Sequence, residues 1–96
     1  MDKYEGWANY PTWNLYNWLT GDEAAHDRWR LTAAESWESA GHDPARAAHY
    51  LGELIRGAVK ADDPTDTGWY GDVMGWAIGI VDYTEVAAAL LEEVTA

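Results

Sequence analysis

Residues 7–18 read WANYPTWNLYNW, with three Trp, two Tyr and three Asn in twelve positions. The order of these residues specifies a helix. Asn9 has the short side-chain oxygen favoured at an N-cap and can accept the N–H of Thr12, while the Thr12 hydroxyl can bond back toward the turn. Pro11 falls in the first turn, where a missing N–H costs nothing, and Gly21 is a natural stop. The predicted helix covers residues 10–20. Trp13, Tyr16 and Asn17 share one side of it, and Leu15, Trp18 and Leu19 share the adjoining side. So broad an apolar arc predicts a helix buried on most of its faces and pinned by Trp. A base- or sugar-stacking platform is the competing reading, but stacking on nucleic acid normally comes with a basic groove. Near this stretch the bases are Lys3 and, beyond it, Arg28 and Arg30.

Punctuation divides the rest of the chain in the same way. A second helix starts at Asp22, with Glu23 and Asp27 near the positive end of its dipole, and stops at Gly41. Ala25, Trp29, Ala33 and Trp37 recur every four residues along one face of it. Asp43–Pro44 opens a third helix with the stripe Ala47, Tyr50, Leu51, Leu54, Ile55 and Ala58. The stretch ADDPTDTG, residues 61–68, is a loop. A fourth helix is predicted over residues 69–80, with AIGIV the one place where a short strand could hide. Asp82 followed by Glu85 resembles a capping box with Asp in place of Ser or Thr. It opens a fifth helix carrying Tyr83, Val86, Leu90 and Val94. The expected fold is a single small all-α domain, a compact bundle of four to five short helices with a Trp/Tyr-rich core.

The totals limit what such a domain can do. The 96 residues hold seven Trp, six Tyr and no Cys, which excludes disulfides, thiolate metal sites and thiol nucleophiles. The N-terminus lacks a signal-peptide pattern. The longest apolar run, residues 74–81, falls far short of the ~20 residues that span a membrane. The expectation is a soluble, cytoplasmic protein. Seventeen acids against six bases give a net charge of −11, a field that repels phosphate backbones and suits a basic partner. The same excess also serves simple solubility, or reflects a high-salt or GC-rich host.

Catalytic signatures are missing. Ser36 and Ser39 lie mid-helix rather than in a nucleophile elbow, and there is no phosphate loop. Glu23-x-x-His26 would supply one side of a carboxylate-bridged metal site, but such sites need two of these motifs. His49 and Glu53 are spaced for a surface pair, and His42 adjoins the second helix's C-terminal end, where a cation is favoured. Asp62, Asp63, Asp66 and Asp72 are crowded, yet they lack the ligand alternation, Gly and terminal Glu of a calcium loop. No catalytic residue, metal or cofactor is expected. Gly71, Gly75 and Gly79 repeat every four residues, at about 0.8–1.0 kcal/mol each against Ala, which predicts a close backbone approach. Either the first helix's Trp side chains lie on this strip, or two copies of the fourth helix meet there. Monomer and homodimer both stay open.

The opening Asn9-Tyr10-Pro11-Thr12-Trp13-Asn14, followed by Trp18-Leu19, resembles that of a family of small acidic proteins of phages, plasmids and bacterial genomes. Val81-Asp82-Tyr83, Val86-Ala87 and Leu90-Leu91-Glu92 resemble its ending. The likeness covers both ends of the chain and implies a mobile-element setting, with no activity attached. Together with the charge and the lack of a catalytic set, it leads to one expectation: a non-enzymatic inhibitor of a basic, nucleic-acid-binding host defence protein, of anti-restriction or anti-CRISPR type, acting by acidic mimicry. The acids expected to form its face are Asp22, Glu23, Asp27, Glu35 and Glu38 on the second helix, joined by Glu85, Glu92 and Glu93 on the last. The alternative is an acidic accessory or scaffold protein that binds through aromatic residues without mimicry.

Overall fold

The computed structural model describes residues 4–61 and 68–95. Among these lie five helices in chain order: α1 (Tyr10–Gly21), α2 (Glu23–Ser39), α3 (Pro44–Ala61), α4 (Trp69–Ile80) and α5 (Tyr83–Thr95). Most of the loop read at residues 61–68, with Asp62, Asp63 and Asp66, lies outside the described residues. AIGIV is helical through Ile80.

Local capping sets the boundaries. Asn9 Oδ1 accepts from the Thr12 amide at 3.0 Å and from its hydroxyl at 2.6 Å. Asp22 accepts from Ala25 N, Asp43 from Ala45 N and Arg46 N, and Asp82 from Glu85 N. α2 ends in a Schellman turn: Gly41 N donates to Glu38 O, and His42 N to Trp37 O. Gly41 and His42 both have positive φ, 66° and 65°. His42 is held in this strained region by stacking on Trp37 (5.3 Å, 10°) and by Glu38, 3.0 Å from its Nε2.

α3 and α5 pack most closely, α2 lies across both, and α1 closes over α2 and α5. The fully buried centre is aliphatic: Ala33, Ala47, Leu51, Ile55, Val86, Ala87 and Leu90. Trp7, Tyr16, Trp29, Trp37 and Tyr83 surround it as a partly buried shell. The α3 stripe is rotated from the predicted one. Ala48 and Gly52 are buried, whereas Tyr50 and Leu54 are 47% and 40% exposed. Gly52 is the reason: a Cβ there would sit 3.2 Å from the Tyr83 carbonyl, so α5 approaches α3 through the missing side chain.

Two further expectations are corrected. α1 is not buried on most faces. Thr12 is its fully buried residue, and Trp18 is 75% exposed. Nor do Gly75 and Gly79 of the predicted glycine strip receive the Trp side chains of α1, since a Cβ at either would meet nothing within 4 Å. The close approach that a helical glycine signals occurs at Gly52 instead.

Candidate functional site

The two end motifs of the chain turn out to be one joint. The Asn9 side-chain amide donates to Ile80 O at 2.7 Å, and Asp82 N donates to Thr12 Oγ1 at 2.9 Å. Glu85 Oε1 accepts from Ala8 N at 2.9 Å. The predicted capping box is therefore only half local. Asp82 caps Glu85 N, but the reciprocal arm is exchanged across the fold: Asp82 N goes to Thr12 and Glu85 to Ala8. The other aromatics of the opening stretch, Trp18 apart, fold on themselves. Tyr4 and Trp7 pair their backbones across Glu5–Gly6, both at positive φ, a tight turn of the hairpin kind. That turn lays Tyr4 on Tyr10 and Trp13, and Trp7 on Tyr16.

The eight carboxylates expected to form a face divide into two sets. Glu93 is a structural node where α1, α2 and α5 meet. Its Oε2 accepts from the Tyr16 hydroxyl at 3.0 Å, its Oε1 lies 2.7 Å from His26 Nε2, and Arg30 Nε stands 3.9 Å away. Burial raises the Tyr16 phenol above its ordinary value, and the hydrogen bond to Glu93 and the charges of Glu93 and Glu92 add to the rise. Glu85 is likewise half-buried and engaged. Both carboxylates are bonded within the fold.

Asp22, Glu23, Asp27, Glu35, Glu38 and Glu92 are exposed. At 100° per residue, Glu23, Asp27 and Glu38 fall on one side of α2 with Glu35 at its margin. That side is opposite the one built from Ala33, Ser36 and Ala40, which are buried. The face runs about 22 Å along the axis. Leu31, 64% exposed, sits at its middle. Asp22 is occupied as the N-cap, Glu38 contacts His42, and Glu92 lies apart on α5.

The metal and catalytic alternatives gain nothing from the geometry. Among the described residues no three His, Asp or Glu side chains are grouped to hold a metal. His26 turns to Glu93, while Glu23 faces solvent. His49 and Glu53 are exposed and outside the three ion pairs found among the described residues.

A second surface went unread in the sequence. Between α1 and α4 runs an open groove of about 670 Å³, lined by Pro11, Leu15, Trp18, Met74, Ala77 and Ile78 among others. Trp76 on α4 is 62% exposed. The signal for it was present: α4 has one charged residue in twelve, Asp72, and its apolar residues run all round the helix rather than along a stripe. A cleft on the other side of α4 holds Gly75 and Gly79, with Arg56 and Lys60 on its α3 rim. No single described helix is long and apolar enough to cross a membrane.

Comparisons with protein-family models, curated proteins and solved structures find no match for this chain.

Proposed function

We propose that this is a non-enzymatic binding protein whose outer α2 face engages a basic, nucleic-acid-binding partner protein. The setting implied by the resemblance of its two ends makes that partner a host defence protein, inhibited in the anti-restriction or anti-CRISPR manner. One observation carries the reading. Glu23, Asp27, Glu35 and Glu38 stand exposed on one side of a helix whose opposite side is packed. With Asp22, this segment holds five carboxylates against Arg28 and Arg30, and Arg30 is turned toward Glu93. Glu85 and Glu93 are left out of the face because their carboxylates are already bonded within the fold.

The test is affinity capture from a bacterial lysate at low salt, followed by titration of the captured protein at two salt concentrations with and without duplex DNA. Binding should weaken steeply with salt, as screening shortens from about 10 Å at 0.1 M to about 3 Å at 1 M, and DNA should compete. Asp27→Lys with Glu35→Lys should slow association more than it speeds dissociation, because complementary charge mainly steers encounter. Neither carboxylate takes part in an ion pair among the described residues, so the fold should survive. Salt-insensitive binding that DNA does not displace would overturn mimicry and favour the aromatic surface.

A further inference from the structure

α4 packs chiefly against α1 and does not close over the rest of the bundle. Trp29 of α2 and Val59 of α3 are therefore only half-buried, and both open into the groove between α1 and α4. We infer that this groove is a binding site for a small aromatic amine, with an apolar ring body and a single ammonium group. The groove is separate from the acidic face of α2, and the inference stands whether or not that face engages a protein.

The lining is one continuous surface. At 100° per residue, Pro11, Leu15, Trp18 and Leu19 fall within about 100° of arc on α1, and Met74, Ala77 and Ile78 within a similar arc on α4. Asp72 and Trp76 fall on the opposite side of α4 and take no part. The volume of about 670 Å³ lies within the ~300–1,000 Å³ of small-molecule sites, which are mostly apolar with a few placed polar groups.

Charge selects the ligand. No ionisable side chain lines the groove among the described residues, so a ring body can enter without stranding a charge, whereas a buried carboxylate would go unpaired. Its polar member is Asn14, half-buried, whose side-chain amide takes part in no hydrogen bond found among the described residues. Asn14 and Trp18 also line an adjoining hollow that ends at Asp22. Amide, indole and carboxylate thus recur every four residues, about 6 Å apart along the axis. Asp22 gives one oxygen to Ala25 N and enters no ion pair among the described residues. An ammonium group over the exposed Trp18 indole is attracted by the ring face and by Asp22, and Asn14 Oδ1 is free to accept from it. The ring body then lies back toward Leu15, Trp29 and Ile78.

The experiment titrates naphthylethylamine, and naphthylacetate as its anionic counterpart, into isotope-labelled protein at low salt. Amide and indole N–H shifts are followed by NMR, with circular dichroism to verify folding. The amine should give saturable shifts at the Trp18 and Trp29 indoles, Leu15 and Ile78. It should bind at least about fivefold tighter than the acid, the factor that one opposite charge about 4 Å away supplies in water. The net charge of −11 also favours the amine, so Asp22→Asn decides: Asn caps a helix as well as Asp, yet the amine should weaken by about fivefold and the acid should not. Trp18→Ala should weaken the amine by at least about twofold, and Ala77→Phe, which fills the groove, should abolish binding. An amine that gives no saturable shift, shifts scattered outside the groove, or equal binding of the two compounds overturns the inference. So does an amine affinity indifferent to both Asp22→Asn and Trp18→Ala.

Discussion

Thr12 and Asp82, seventy positions apart, share a partly buried hydrogen bond: the Asp82 amide donates to Thr12 Oγ1 at 2.9 Å while that hydroxyl donates to Asn9 Oδ1 at 2.6 Å. Thr12 has no exposed surface. The hydroxyl is both donor and acceptor, so it couples the start of α1 to the start of α5. Thr12→Val keeps the shape and strands the Asp82 N–H, at a cost of about 1–3 kcal/mol. Thr12→Ser should lose much less. Urea unfolding midpoints of the two variants check this, and equal losses would show that the hydroxyl is not what matters.

Gly52 and Gly57, both on α3, should respond to Ala with opposite signs. At Gly57 a Cβ meets nothing within 4 Å, so Gly57→Ala should raise stability by up to about 0.8–1.0 kcal/mol through helix propensity. At Gly52 the Cβ would lie 3.2 Å from the Tyr83 carbonyl and 3.3 Å from Thr84 N. That backbone cannot easily retreat, because Asp82 is tied to Thr12 and the Tyr83 hydroxyl to Ile78 O. Overpacking there should cost about 1–3 kcal/mol. Melting temperatures of the two variants should therefore move apart, and a stabilised Gly52→Ala protein would contradict the packing.

The contrast between these glycines marks what the sequence reveals. Helix boundaries were legible because Asn9, Asp22, Asp43 and Asp82 act on amides two or three positions away. The α4 span was likewise legible from its flanking loop and cap. Which glycine admits a neighbouring backbone depends on how α5 crosses α3, and no local pattern records that. The same holds for the acids. Glu93 and Glu92 are adjacent and chemically alike, yet Glu93 meets Tyr16 from 77 positions away while Glu92 faces solvent. Trp13 and Trp18 were read together as core because helical spacing gives relative faces, not which face is covered.

Truncations should rank accordingly. Leu51, fully buried, should cost about 2–5 kcal/mol as Leu51→Ala. Trp13 is half-buried and packs on Tyr4 and Tyr10 rather than on the aliphatic centre, so Trp13→Ala should fall below the roughly 3–5 kcal/mol of a fully buried Trp. Trp18→Ala should stay within about 0.5 kcal/mol when measured on the monomer. Chemical denaturation at low protein concentration gives the order, and a Trp18 loss as large as that of Leu51 would place Trp18 in the core.

Alkaline pH should unfold this protein earlier than tyrosine content alone implies, and Tyr16 should be a main cause. Its phenol is raised above the ordinary value of 10.0 by burial first and then by its bond to Glu93. Tyr83 is also raised by burial, with the nearby Arg56 charge opposing. Because the folded state holds these protons to higher pH than the unfolded chain, the unfolded chain binds fewer protons above pH 10.0, and stability falls as pH rises. Below that value both states keep the phenol protonated and the contribution is complete. Tyr16→Phe removes the titrating group along with the donor to Glu93. It should start less stable at neutral pH yet lose less with each further step above pH 10.0. Urea midpoints measured from neutrality through the alkaline range, for the wild type and Tyr16→Phe, give both slopes. Parallel curves would mean that the Tyr16–Glu93 contact does not control the alkaline limit.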